Sequence, residues 1–161
     1  VRILTNSLAT HDVPAVNSHY EPWRDDLIKA GVELFELRPD AAIKPAIVDV
    51  APVVSEFIGL HSKTAVIDGR YVFVGSMNLD PRSAEINTEM GVFVDSPELA
   101  RELGDMIRRD MSPENAWHVQ LNDDGEVYWE DSNGILTDQP ARSGMQRVMN
   151  QLMKLGPVDQ Y

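Results

Sequence analysis

The sequence predicts an α/β fold, a mixed β-sheet flanked by helices, and three observations carry that reading. The chain opens in the order strand, helix, strand, which is the order of a βαβ unit. Two pairs of short apolar runs flank Asp68-Gly69 and Asn122-Asp123-Asp124-Gly125, and such pairs read as hairpins. Two amphipathic stretches follow Ser96 and Ser143, each a residue suited to cap a helix.

In chain order, Val1 to Asn6 reads as a short buried strand, and the polar run from Thr5 through Asn17 as a loop. Glu21-Pro22-Trp23 opens a helix with Trp23, Leu27 and Ala30 on one face, and Gly31 stops it. Val32 to Leu37 is the second strand. Residues 39 to 58 contain Pro39, Pro45 and Pro52, so a loop with some extended structure is expected there. Lys63 to Ile67 and Tyr71 to Val74 form the first hairpin, and Glu89 to Val94 is a further strand. Ser96-Pro97 starts a helix with Leu99, Leu103, Met106 and Ile107 on one stripe. Trp117 to Leu121 and Val127 to Trp129 form the second hairpin. The last helix follows Ser143, with Met145, Val148, Met149 and Leu152 expected inward. No internal repeat or low-complexity tract is visible.

A chain of 161 residues suffices for one domain with a sizeable core, and its 43% hydrophobic and 25% charged residues are ordinary for a globular protein. The absence of cysteine excludes a disulfide framework and a thiolate metal site. No apolar run approaches the roughly 18 residues of a membrane span. The first residues, Val1-Arg2-Ile3-Leu4-Thr5, lack an initiator Met and read as a strand, not a signal peptide, so the chain is expected to be cut from a longer protein. A net charge of −12 does not steer toward nucleic acid or anionic lipid, and no nucleic-acid partner is expected. It leaves room for a locally basic phosphate site, because surface fields are screened within about 10 Å at 0.1 M salt.

The densest chemistry lies in His61-Ser62-Lys63, followed by Asp68 after four residues and by Gly75-Ser76-Met77-Asn78 after six more. His61 and Lys63 are two apart, so an extended backbone sends both side chains to one face, an imidazole beside an ammonium. Lys63 suits non-bridging phosphate oxygens and offsets transition-state charge. Asn78 adds a neutral amide donor. Ser76 alternates with Asn78 and is either a third phosphate ligand or a plain strand hydroxyl. Gly75 permits close backbone approach. A nucleophilic imidazole needs its second nitrogen held by an acceptor, and Glu89, 28 residues beyond His61, is the candidate. Asp68 is sufficiently explained as a turn residue, a structural part of the motif with Gly75. His11, His19 and His118 read as solvated, and Asp25-Asp26 and Asp123-Asp124 as a helix face and a turn. No metal ligand and no cofactor are expected.

The run from His61 to Asn78 matches the HxKx4Dx6GSxN signature at every fixed position, and the chain resembles the phospholipase D superfamily. Thr5 to Val16, Ala30 to Leu37, and Asn115-Ala116-Trp117 with the acidic hairpin after it resemble the second half of bacterial cardiolipin synthases and related phosphatidyltransferases. The resemblance implies that residues 1–161 are a single phospholipase D-like domain, the second, C-terminal half of a two-half enzyme. It also implies a phosphohistidine intermediate without metal, in which two halves each supply a His-Lys-Asn set. By analogy His61 is the acid–base partner, Lys63 and Asn78 are phosphate ligands, and an acidic residue near the position of Glu89 supports the histidine. The expected partners are a phospholipid and the N-terminal half of the parent, with a homodimer as the other way to supply a second histidine. The parent is expected in bacteria, peripheral to the inner membrane or cytoplasmic, with the fragment itself soluble. Phospholipid hydrolysis, an endonuclease working as a homodimer, and an inactive packing module are the alternatives.

Overall fold

The computed structural model describes residues 1–11, 14–49, 51–52, 54–78 and 80–154. Asp12, Val13, Val50 and Val53, which fall in the two stretches expected to be loops, lie outside the described residues. The chain divides into two compact units. One holds Val1–Leu60 and the described residues from Asp110 onward; the other holds His61–Arg109.

The first unit is built on a five-stranded sheet, in which β1 (Arg2–Asn6) pairs in parallel with β2 (Glu33–Leu37), Arg2 opposite Glu33. The connection between them is helical, as a parallel pair requires. It runs through α1 (Pro14–Tyr20) and α2 (Arg24–Lys29), with single 3-10 turns at Leu8–Thr10 and Glu21–Trp23. The sheet continues antiparallel through β3 (Ala116–Leu121), β4 (Val127–Asp131) and the short β5 (Gly134–Leu136). The sheet is therefore mixed, as expected. α2 ends where Gly31 takes a φ of +85°, with the Gly31 and Val32 amides donating back to Ile28 and Leu27, a Schellman cap. A one-turn helix, α3 (Lys44–Ile47), sits in the proline-broken stretch.

Ala9, Leu34, Trp117, Val119 and Trp129 form one buried cluster, and Leu37, Ala41 and Ile58 another. Polar groups are buried beside them. Arg24 is 2% exposed and Glu36 is 0% exposed, with Arg24 Nε donating to Glu36 Oε1 at 2.7 Å. Tyr20 donates to the same oxygen at 3.1 Å, and Trp129 Nε1 donates to Oε2 at 2.9 Å. Burial first, then the Glu36 charge, push the Tyr20 hydroxyl well above the usual phenol range, which keeps it a donor.

This packing corrects three expectations. The run from Leu8 is a buried 3-10 turn followed by a helix, not a loop. In α2 the buried residue is Arg24, while Trp23 at its start is largely exposed, because Glu36 inside the sheet draws the guanidinium inward. In α4 (Gly144–Met153), capped by Ser143 accepting from the Gln146 amide at 3.2 Å, the buried residues are Gln146 and Asn150, and the apolar stripe expected inward faces out. The turn before β4 forms as expected. Asn122 Oδ1 accepts from the Asp124 and Glu126 amides, and Gly125 has a φ of +81°.

The second unit is a three-stranded antiparallel sheet, in order β6 (Lys63–Ile67), β7 (Tyr71–Gly75) and β8 (Gly91–Asp95). Between β7 and β8 lies α5 (Pro81–Glu85), and after β8 comes α6 (Pro97–Asp110). The stripe expected to bury α6 is displaced. Ala100 and Gly104 are its buried residues, while Leu99 and Met106 are substantially exposed.

Candidate functional site

The β6–β7 hairpin brings the two parts of the signature together. Its turn has Asp68 at a φ of 52° and Gly69 at 62°, and the Arg70 amide closes it on the Ile67 carbonyl at 3.0 Å. Asp68 and Gly69 tolerate the left-handed region, and with Arg70 they form a three-residue connection between the paired Ile67 and Tyr71. The turn sets the register that pairs Lys63 with Gly75. The His-x-Lys end of β6 thus meets the Gly-Ser end of β7.

His61 lies two residues ahead of β6 and is exposed. Lys63 Nζ stands 3.2 Å from both ring nitrogens and donates to the His61 carbonyl at 3.0 Å. A ring nitrogen accepts from an ammonium only through a lone pair, and an imidazole ring offers at most one, so at most one of these two approaches is a hydrogen bond. Asn78 is exposed beyond the end of β7 and makes no hydrogen bond among the described residues. Its amide is left available to a ligand.

Glu89 does not bond the His61 ring, which corrects the expected support. Its Oε2 accepts from Ser76 Oγ at 2.5 Å and its Oε1 from Asn87 Nδ2 at 3.3 Å. The reason is strand order. Glu89 sits two residues before β8, and β7 lies between β8 and β6. The nearest donor is therefore the hydroxyl just past β7, whereas the His61 side is two strand spacings away, about 10 Å. Ser76 Oγ also accepts from the Met90 amide at 3.0 Å, so its proton and one lone pair are committed inside the protein. The hydrogen bond from Ser76, then that from Asn87, hold the Glu89 carboxyl below the ordinary range.

An open cavity of about 620 Å³ adjoins this end of the sheet, lined by Val74, Gly75, Ser76, Thr88, Glu89, Met90, Gly91 and Val92. Gly75 and Gly91 pair across β7 and β8, and the Phe73 ring lies over both. A Cβ on Gly75 would stand 2.6 Å from that ring and 2.8 Å from the Met90 carbonyl, so a larger residue there would displace the ring or the strand.

Sequence reasoning missed Asn87, which donates to Glu89, and Asp80, whose Oδ1 accepts from the Ser83 amide at 2.7 Å and caps α5. Asp80-Pro81 carried a readable signal, a capping residue followed by proline at the first helical position. His118 is not simply solvated. It stacks on Phe35 at 4.7 Å in the first unit. Asp25 pairs with Lys29 along α2, as a helix-face residue does.

Comparison with known proteins adds a family. Residues 1–111 match the family model described as "Cardiolipin synthase, PLD-like domain". Cardiolipin synthase C of Escherichia coli is 40% identical over 163 residues, covering 99% of this chain and 34% of that protein. An uncharacterized protein of Helicobacter pylori is 31% identical over 98% of this chain and 31% of its own length. A cardiolipin synthase of Oceanobacillus iheyensis is 28% identical over 63% of this chain and 18% of its own length. The chain spans about a third of the length of the first two relatives. No solved structure matches it significantly.

Proposed function

The chain belongs to the cardiolipin synthase, phospholipase D-like domain family, and from that membership we propose that it supplies one of two half-sites for phosphatidyl transfer between phospholipids. The observation that carries the proposal is the pairing of His61 with Lys63, the ammonium 3.2 Å from both ring nitrogens within the matched signature. In this reading a histidine of a second half attacks phosphorus, and the P–O bond to the leaving alcohol breaks. His61 gives that oxygen its proton. His61 then takes the proton of the incoming hydroxyl, whose oxygen attacks the phosphohistidine and frees the imidazole. Lys63 and Asn78 hold the non-bridging oxygens, where negative charge accumulates. Ser76 and Glu89 serve as the fixed wall of the site, because Ser76 spends its proton on Glu89.

One half carries one signature histidine, so the isolated chain is expected to turn over little or no phospholipid. Loss of general acid catalysis alone costs about 10² to 10⁴ in rate. In the full-length protein, His61→Ala should leave label from a phosphate-labelled phospholipid trapped on the other histidine in samples quenched with detergent at alkaline pH, where the phosphorus–nitrogen bond survives, while transfer to the acceptor lipid collapses. Lys63→Ala should suppress both labelling and transfer. Robust turnover by a demonstrated monomer of residues 1–161 would refute the half-site reading, and an unlabelled His61→Ala protein would give His61 the nucleophile's role instead.

A further inference from the structure

We propose that the outward face of α4 is a membrane-docking surface whose occupant is the interfacial layer of an anionic phospholipid bilayer. The proposal rests on the lipid-substrate reading for its biological sense, while its test reads binding without turnover.

α4 is held to the protein by its polar side. Gln146 Nε2 donates to the Leu8 carbonyl at 2.6 Å and its Oε1 accepts from the Arg142 amide at 2.8 Å. Asn150 Oδ1 accepts from Asn17 at 3.0 Å, and its Nδ2 donates to Glu21 at 2.8 Å. A buried polar seam of this kind fixes the helix's rotation, since each group would otherwise lie unsatisfied. The opposite side is left apolar and open. Met145 is 70% exposed, Val148 54%, Met149 37%, Leu152 55% and Met153 37%. Met145, Val148, Met149 and Leu152 recur at the spacing of a single helical stripe.

Charge and area select the occupant. The chain carries a net charge of −12, yet residues 139–154 contain Arg142, Arg147 and Lys154 and no acidic residue. Lys154 is paired with Glu21 at 2.7 Å. Arg142 and Arg147 donate to backbone carbonyls of His11 and Gln139, so their charges stay available to an anionic surface within a screening length. An apolar face beside charged residues that are all basic is a composition suited to a helix that lies in a lipid interface. A second copy of the chain fits less well. A ten-residue helix is about 15 Å long and about 10 Å wide, a footprint of roughly 150 Å² against the roughly 800 Å² per partner of a stable interface. A bilayer sets no such minimum and requires no matching shape. Methionine, three of the five exposed residues, adapts to an irregular apolar surface.

The test is flotation of the 161-residue chain with vesicles of phosphatidylcholine containing a minority of phosphatidylglycerol, and with vesicles of phosphatidylcholine alone. The wild-type chain should float with the anionic vesicles and much less with the neutral ones. Val148→Asp/Leu152→Asp, at exposed positions, should keep the wild-type circular dichroism and lower the bound fraction by about tenfold or more. If the Asp variant folds poorly, Met149→Gln/Leu152→Gln provides the same comparison without added charge. Absence of wild-type binding overturns the proposal, as does binding that a folded variant leaves unchanged. So does light scattering that shows a vesicle-free dimer which the variant splits, because a second copy would then own the face. If binding depends on α4 but the full-length protein transfers no phosphatidyl group, the docking surface stands and the functional reading falls.

Discussion

Replacing Glu36 by Gln should be the most damaging change of a single atom in the first unit. Glu36 is 0% exposed and takes three donors: Arg24 Nε at 2.7 Å, Tyr20 Oη at 3.1 Å and Trp129 Nε1 at 2.9 Å. A carboxylate accepts on both oxygens, whereas an amide turns one of them into a donor. In the Glu36→Gln variant the new NH2 group must therefore face either Trp129 or Arg24, donor against donor. Arg24, 2% exposed, is left as a buried charge without its counter-ion, although its guanidinium still lies over Tyr20 at 5.0 Å and Trp129 at 5.2 Å. Breaking a buried pair from one side costs about 3 to 5 kcal/mol. At roughly 2 to 4 °C per kcal/mol for a chain of this size, melting should drop by about 6 to 20 °C. The assay is thermal unfolding followed by circular dichroism, with Arg24→Met/Glu36→Leu alongside. If the penalty is the unpaired charge, the double variant should melt above Glu36→Gln, because apolar side chains of similar size satisfy the cavity without leaving an ion behind. A Glu36→Gln protein melting within about 2 °C of wild type, on the same scale, would refute the reasoning.

Two further outcomes follow from the second unit. Asp68→Ala should lower stability by about 1 kcal/mol, because an alanine at a φ of 52° bears the left-handed cost that Asp eases, while Asp68→Asn should be close to neutral; equal melting of all three proteins would remove the turn argument. Ser76→Ala should raise the Glu89 carboxyl toward its ordinary value, since the Ser76 hydrogen bond is the largest influence depressing it, and titration of Glu89 by NMR reads this directly. A depressed carboxyl adds stability above its unfolded value of 4.5 and loses it as pH falls, so the melting gap between wild type and Ser76→Ala should narrow below that pH.

What the sequence made legible was whatever is decided within a few residues. The turn at Asp68-Gly69, the Ser96 and Ser143 caps and the Gly31 stop all formed as read, because each depends on local backbone chemistry. Periodicity located the apolar stripe of α4 but could not say which side of the helix would be buried. That was decided by Asn17, 133 residues away from its partner Asn150. Trp23 illustrates the same limit, since a buried carboxylate twelve residues beyond Arg24 turned the helix the other way. β5 escaped notice because Gly134-Ile135-Leu136 is three residues long and exposed throughout, leaving no pattern to read.

The site divides along the same line. His61 and Lys63 are neighbours by covalent distance, and their contact was readable from a spacing of two. The hairpin at Asp68-Gly69 was readable too, while the register that sets Lys63 opposite Gly75 comes from the three-residue connection between Ile67 and Tyr71. The partner of Glu89 was not, because a spacing of 28 residues says how far the chain has travelled and not which strand lies in between. With β7 between β6 and β8, a carboxylate entering β8 meets Ser76 first. The proton of Ser76 cannot then be offered to a phosphate while Glu89 remains ionised and bonded to it. In the proposed half-site, Lys63 and Asn78 are then the donors left for a phosphodiester, and Lys63 is the one that carries charge.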